Sequence, residues 1–444
     1  MTLLKRLMPL CLVGGNLVWA GVPEQFKPAP APLPQGLLLK KGDRLAICGD
    51  SITEQKMYSR LIEDYLTACT PELKVTVRQF GWGGERADGF LARMTNECLR
   101  FKPTIATTCY GMNDHGYRPF EPGIGEDYRK YSTAIVESFK ANGVRVVLGS
   151  PGCVGNRSWW AAGATSEALN LNLCQLRNIG IDIANEQNVG FADVFWPMLN
   201  AAYEAPQKYG AEYRIAGGDG VHPGWAGHVI MAYAFLKALG VSGEIADFKL
   251  DLANNQLRVS EGHKLVSSKA GAFTIRSSRY PFCSAAPMGM AANWYPTIGH
   301  NSLTNHDSIR SGMTFVPFDQ DLNRFLLTVK NTKADKYRVN WGDQSQVFTA
   351  EALKQGVNLA AAFEDNPFAT RFAMIDAAVE GKQAFETREV KSLFRVPGSN
   401  VTMKQIAAQT DKIWKDVERE RTALASAIPA AYAPVTYTLS VTPE

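Results

Sequence analysis

The stretch LAICGDSITEQKMYSRLIEDYL, residues 45–66, joins a short apolar run to an amphipathic segment through Gly-Asp-Ser-Ile-Thr-Glu. The apolar run has the length of a buried strand, and apolar residues in the segment after it recur every three or four positions, as in a helix. Ser51 and Glu54 match the capping box, in which a serine and a glutamate satisfy free backbone N–H groups. Taken alone, the stretch predicts a strand, a turn and a helix capped by Ser51.

The same alternation of strand and helix continues through residues 43–240. The strand candidates are Arg44–Cys48, Lys74–Phe80, Thr104–Tyr110, Val144–Gly149 and Val189–Val194, and the helix candidates between them are Tyr58–Leu66, Ala87–Leu99, Asp127–Asn142 and Glu167–Glu186. This rhythm is typical of a parallel sheet covered by helices on both faces. Ligands of such folds bind beyond the carboxyl ends of the strands. Ser51, Gly84 and Asn113 follow consecutive strand candidates and are therefore predicted at one edge of the sheet.

The pattern of apolar and polar residues changes after Gly240. We predict five segments: a signal peptide at 1–20, a Pro-rich lead-in at 21–37, an α/β domain at 38–244, a smaller β-rich, sandwich-like domain at 245–350, and a mainly helical C-terminal region at 351–444. The β-rich domain is predicted from alternating apolar residues between Gly, Asn and Asp turns. The last stretch, VTYTLSVT, has the composition of one more strand.

The N-terminus has the pattern of an export signal. Lys5 and Arg6 precede the mostly apolar Leu7–Ala20, and small residues at Val18 and Ala20 fit a cleavage site. A membrane span needs about 20 consecutive apolar residues, and this segment is interrupted by Pro9 and other breakers. We therefore expect an exported protein, periplasmic or secreted, without stable membrane insertion.

Charge and cysteine usage exclude several classes of protein. The net charge is +4 over 444 residues, with no polybasic cluster, so we expect no nucleic-acid partner. Of the eight cysteines, Cys11 would leave with the signal, and no Cys-x-x-Cys pair is present, so we predict no metal site. A single disulfide between Cys69 and Cys98 is an alternative that the sequence leaves undecided, since an oxidising compartment would allow it.

Gly81-x-Gly83-x-x-Arg86 follows a strand candidate and partly matches a dinucleotide-binding loop. That loop has a third glycine at the position that Arg86 occupies here. We therefore expect no cofactor.

Four short motifs lie in order along the α/β domain: GDSIT at 49–53, GWGGERADG at 81–89, YGMND at 110–114 and GDGVHPGWAGH at 218–228. Together they resemble the SGNH hydrolases, also called the GDSL family of esterases and lipases, over residues 43–240. The resemblance implies a three-layer α/β/α sandwich with a five-stranded parallel, flavodoxin-like sheet. It also implies ester hydrolysis through an acyl-serine intermediate, without metal or cofactor.

The resemblance further implies a role for each matching residue. Ser51 would be the nucleophile, His222 the base and then the acid, and Asp219 the group that orients the imidazole. A serine hydroxyl needs such partners because it is a poor nucleophile until a neighbouring base takes its proton. The start of a helix at Ser51 would add a partial positive charge that favours an oxyanion.

The implied oxyanion hole consists of the Ser51 N–H, the Gly84 N–H and the Asn113 side chain. Gly83 is an alternative to Gly84, which we prefer because Glu85 and Arg86 follow it in the usual polar positions. Losing one such donor typically lowers the rate by about 10²–10³.

Five further residues near the motifs each have a structural alternative. Arg86, His115 and Trp159 are candidate substrate contacts, against a solvated arginine, an ordinary loop histidine and a packed tryptophan. Asp50 is expected to hydrogen-bond the turn, and His228 is expected to make a structural hydrogen bond.

These observations predict an exported serine esterase that removes acetyl or other short acyl groups from carbohydrate, with a small-molecule or glycan ester as substrate. A lysophospholipase or arylesterase acting on lipid or aryl esters is the first alternative, because one fold hosts many activities. A carbohydrate-binding protein on a hydrolase scaffold is the second, and the intact Ser51, Asp219 and His222 set argues against it.

Overall fold

The computed structural model describes residues 23–444 apart from residues 24, 35, 156–162, 270, 285–301 and 397–400. The predicted signal peptide and Trp159 lie outside the described residues. Strands and helices of the first half alternate as β1 (Arg44–Gly49), α1 (Ser51–Glu54), α2 (Tyr58–Ala68), β2 (Thr76–Gly81), α3 (Ala87–Met94), β3 (Ile105–Cys109), α4 (Pro122–Ala141), β4 (Arg145–Gly149), α5 (Ser166–Gln187), β5 (Gly190–Ala192), α6 (Phe195–Tyr209) and α7 (Trp225–Ala238).

The first five strands form one parallel sheet in the order β2-β1-β3-β4-β5. Alternate residues of β1 face opposite sides, so that Leu45 and Ile47 pack beneath α2, α6 and α7, while Ala46 and Cys48 pack beneath α3, α4 and α5. This alternation follows from the two-residue period of a strand. The predicted three-layer α/β/α sandwich with a five-stranded parallel sheet is confirmed.

The cysteines correct one expectation. Cys69 and Cys98 are both free, and they belong to core clusters on opposite faces of the sheet. Cys98 instead lies beside Cys48, with 3.9 Å between the two Sγ atoms. The disulfide between Cys69 and Cys98 is therefore wrong for this structure, because the sheet separates the two thiols.

The second half is rich in strands as far as residue 358 and then mainly helical. Its elements are β6 (Glu244–Asp251), β7 (Gln256–Arg258), β8 (His263–Lys269), β9 (Ala272–Ser277), α8 (Ile309–Gly312), α9 (Phe318–Asp321), β10 (Arg324–Lys330), β11 (Lys336–Trp341), β12 (Gln344–Thr349), α10 (Ala350–Gln355), β13 (Val357–Asn358), α11 (Leu359–Ala362), α12 (Ala369–Arg388), α13 (Met403–Ala431) and β14 (Val435–Pro443). They form two sheets, β13-β10-β6-β7 and β12-β11-β14-β9-β8.

The last strand shows that the two predicted C-terminal segments share one sheet. β14 is the central strand of the five-stranded sheet, between β11 and β9. Strands on either side of the predicted boundary at residue 350 therefore pair in one sheet. The division of the chain into domains otherwise stays a prediction.

The two long C-terminal helices also pack against the α/β domain, with α12 lying on α2 and β2 and α13 lying on α12. Buried charges join these layers. Arg60 of α2 pairs with Asp376 of α12, and Lys382 donates to Glu63 at 2.9 Å. Both partners in each pair are nearly inaccessible to solvent, so removing one would leave a buried charge without compensation.

Two features are absent from the described residues. None of the helices in this part of the chain is long and apolar enough to cross a membrane. Within the same residues, no group of three or more His, Cys, Asp and Glu side chains is arranged to hold a metal ion.

Candidate active site

Ser51 lies immediately beyond the carboxyl end of β1, as the first residue of the single-turn helix α1. Asp50 is the residue that caps this turn, since its side chain accepts a hydrogen bond from the Ile52 N–H at 3.0 Å. The prediction that Ser51 and Glu54 form a capping box is therefore wrong, and the hydrogen bond expected of Asp50 is confirmed. Because α1 has only four residues, local N–H groups rather than a long helix dipole surround Ser51.

The hydroxyl of Ser51 is in contact with an imidazole from a distant part of the chain. Ser51 Oγ is 2.8 Å from His222 Nε2, and His222 Nδ1 is 2.7 Å from Asp219 Oδ2. The other Asp219 oxygen accepts the backbone N–H groups of Val221 and His222, each at 2.8 Å. The loop before α7 thus holds its own carboxylate rigidly and presents the imidazole to Ser51.

The electrostatics of this loop favour an ionised carboxylate. Partial burial by itself would raise the pKa of Asp219. The hydrogen bonds from the His222 ring and from two backbone N–H groups outweigh that effect and hold the pKa below its usual range. Asp50 behaves oppositely, because burial raises its pKa to about 7. Asp219 is therefore suited to stabilise a positive imidazole, whereas Asp50 acts on the turn.

The two adjacent glycines of the second motif differ in their hydrogen bonds. The Gly83 N–H donates to the Glu54 carboxylate. Gly84 has a positive φ of 72° and is exposed, and no acceptor for its N–H is found within the described part of the chain. Of the two glycines, Gly84 is therefore the one whose N–H is available to a ligand.

Asn113 lies beside the same turn. Its Nδ2 donates to the Glu85 backbone oxygen at 3.0 Å, and its Oδ1 accepts the Tyr117 hydroxyl at 3.2 Å. These two bonds orient the amide, and one of its two N–H groups has no acceptor among the described residues. The third and second motifs are thus brought together as the sequence predicts.

The further residues near the motifs differ in their surroundings. Arg86 is exposed and pairs with Asp88 at 3.0 Å, which fits its solvated alternative. His115 is fully buried and burial lowers its pKa to about 4, which fits its alternative as an ordinary loop histidine. His228 accepts from the Tyr58 N–H at 3.2 Å, which confirms its structural hydrogen bond.

Two carboxylates that position these loops were missed. Glu54 bonds to the N–H of Gly83, and Asp114 accepts the N–H groups of Gly111 at 2.8 Å and Ala87 at 3.0 Å. Asp114 stands at the end of the YGMND motif, so its position was a usable signal. Glu54 was assigned to a cap because its partner lies in another motif.

The arrangement as a whole is a hydrogen-bonded chain of hydroxyl, imidazole and carboxylate, with N–H donors of a glycine and an asparagine on neighbouring loops. Such a set is suited to acyl transfer through attack on a carbonyl group. Residues 47–230 match the model of the GDSL-like lipase/acylhydrolase family. The match confirms the resemblance of this part of the chain to the SGNH hydrolases. The protein is a carboxylic ester hydrolase, as the motif resemblance implies.

Two similar proteins extend this comparison. An acetylxylan esterase of Geobacillus stearothermophilus is 25% identical over 223 residues, which cover 45% of this chain and 94% of the esterase. The structure of a gut microbial diltiazem-metabolizing enzyme is 23% identical, covers 93% of this chain and 100% of its own, and superposes with a TM-score of 0.72. The second similarity extends the shared fold beyond the SGNH domain into the β-rich and helical regions.

Proposed function

We propose that this protein is an exported serine esterase that removes acetyl and other short acyl groups from carbohydrate. The observation that carries the serine mechanism is the 2.8 Å contact between Ser51 Oγ and His222 Nε2. Export is supported by the basic, apolar and small-residue pattern of residues 1–20. The preference for acetylated carbohydrate is supported by the acetylxylan esterase of G. stearothermophilus, which matches over nearly its whole length.

In the proposed reaction Ser51 Oγ attacks the ester carbonyl carbon while its proton passes to His222 Nε2. The tetrahedral intermediate collapses as the alcohol leaves with that proton, and the acyl group stays on Ser51. Water then attacks the acyl-serine by the same route in reverse, with His222 again as base, and the carboxylic acid is released. Asp219 fixes the ring orientation and stabilises the positive imidazole in both halves.

The negative oxygen of each tetrahedral intermediate needs donors that already point toward it. In this proposal they are the N–H groups of Ser51 and Gly84 and the Asn113 amide. The bonds from Asn113 to Glu85 and from Tyr117 hold that amide in place before substrate arrives. Little reorganisation is then needed as charge develops.

Asn113→Ala is expected to lower kcat for p-nitrophenyl acetate by about 10²-fold, because one oxyanion donor is lost. Asn142→Ala is the matched control, since Asn142 lies at the exposed end of α4 and its side chain donates to the Ser138 oxygen of its own helix. Circular dichroism checks that both variants are folded. Equal turnover in Asn113→Ala and the control would remove Asn113 from the oxyanion hole.

The acyl preference is measured with acetyl, butyryl and octanoyl esters of p-nitrophenol. A protein that deacetylates carbohydrate is expected to have its highest kcat/KM on the acetyl ester, followed by release of acetate from acetylated xylan. Highest kcat/KM on the octanoyl ester would replace the carbohydrate assignment with a lipid-directed one. Binding of acetylated xylan without any ester hydrolysis would instead favour a carbohydrate-binding protein.

A further inference from the structure

A segment from the C-terminal region touches the turn that carries Gly84. After α12 the chain continues through one wide helical turn, Glu389–Leu393, and Lys391 in that turn pairs with Glu54 at 2.6 Å between Nζ and Oε1. The other oxygen of Glu54 accepts the Gly83 N–H. Lys391 is therefore linked through a single carboxylate to the residue before Gly84.

The same segment also covers the side chain at the start of this turn. Arg395 lies over the ring of Trp82 at 4.5 Å from its centroid, and Lys391 lies 5.6 Å from it. Arg395 additionally pairs with the buried Glu97 at 2.6 Å. Trp82 directly precedes Gly83. Cations from the C-terminal region therefore contact the Trp82 ring directly and reach Gly83 through Glu54.

A four-residue turn can adopt two arrangements that differ in where one N–H points. The Glu85 N–H donates to the Trp82 oxygen at 3.2 Å, which closes a four-residue turn with Gly83 and Gly84 at its centre. Only the second central residue, Gly84, has a positive φ, of 72°, as in a type II turn. Types I and II differ by a flip of the central peptide, which here carries the Gly84 N–H.

We propose that Lys391 is a positioning residue for the oxyanion hole: by holding Glu54 on the Gly83 N–H, it keeps the Gly84 N–H directed at the reacting carbonyl. This inference rests on the proposed function and deepens it. The C-terminal region then contributes to the rate of acyl transfer although it supplies no group that touches the substrate.

A purely structural role would have a different signature. The Lys391 and Glu54 side chains are 37% and 18% exposed, and partly exposed ion pairs contribute little to stability. Loss of the pair is therefore expected to leave the unfolding temperature nearly unchanged. A transition-state role appears in kcat and leaves KM unaffected.

The experiment compares wild type, Lys391→Ala, Lys391→Arg, Glu54→Ala and the double variant on p-nitrophenyl acetate, with Ser51→Ala as the background. Arg388→Ala is the matched control, because Arg388 ends α12 in a pair with Glu420 and has no recorded contact with the described residues 81–85. Lys391→Ala is expected to lower kcat about 3- to 10-fold with KM within about twofold, and Lys391→Arg to restore it. The control is expected to match wild type.

The double variant decides whether Lys391 acts through Glu54. In the Glu54→Ala background, Lys391→Ala is expected to have no further effect on kcat, since the linking carboxylate is already absent. Unchanged kcat in Lys391→Ala, a change confined to KM, or an equal loss in both backgrounds would each overturn the inference while leaving the esterase assignment intact. A wild type that hydrolyses no ester would overturn both.

Discussion

Ser51→Ala is expected to lower hydrolysis of p-nitrophenyl acetate by at least about 10⁴-fold, to the level that oxyanion stabilisation and binding provide without a nucleophile. The physical reason is that the carbonyl would then have to be attacked by water with no acyl-enzyme stage. The Ser51 hydroxyl lies 2.8 Å from His222 Nε2, so its proton is within reach of that imidazole. Release of p-nitrophenol under saturating ester measures the effect.

The control for this substitution is Ser426→Ala, which removes an exposed hydroxyl on α13 that donates to the Ala423 oxygen of the same helix. It is expected to retain full activity. Both variants are expected to unfold near the wild-type temperature, because neither creates a buried cavity. Activity of Ser51→Ala equal to that of Ser426→Ala would eliminate the acyl-serine mechanism.

Asp219→Asn is expected to lower kcat by about 10³–10⁴-fold. Its carboxylate accepts the His222 ring N–H and two backbone N–H groups, and an amide has only one oxygen to serve them. The imidazole would then adopt the tautomer that cannot take a proton from Ser51. Steady-state kinetics on the acetyl ester give kcat and KM separately.

Asp182→Asn is the matched control for this loss of charge. Asp182 is an exposed residue of α5 that pairs with Arg129 at 2.8 Å, and surface pairs of this kind contribute little. Wild-type turnover is expected for it. A loss of less than tenfold in Asp219→Asn would show that His222 is oriented by its own backbone rather than by the carboxylate.

The α/β domain could be predicted from the sequence because short stretches of residues determine each of its strands and motifs. Each strand is a short apolar run followed by a motif, and parallel strands bring the residues after them to one edge. Ser51, Gly84 and Asn113 were therefore placed correctly at that edge. His222 and Asp219 were assigned through the resemblance of the fourth motif to the SGNH hydrolases.

The remaining features depend on contacts between distant segments. Glu54 looked like part of a cap because its partners, Gly83 and Lys391, cannot be read from residues 51–54. His115 had two alternatives, a substrate contact or an ordinary loop histidine, because its burial depends on packing that its neighbours in sequence do not specify. The position of β14 depends on pairing with β9 and β11, which no local pattern specifies.

The central place of β14 also sets an order of assembly. Before Val435–Pro443 is available, β9 and β11 have no partner between them, and the β-rich region has two unprotected strand edges. Because such pairing joins segments far apart in the chain, it is intrinsically slow and exposes aggregation-prone surface until it is complete. The α/β sheet, in contrast, is built entirely from residues 44–192. The hydrolase sheet can therefore form early, whereas the five-stranded sheet of the β-rich region is complete only when the last strand arrives.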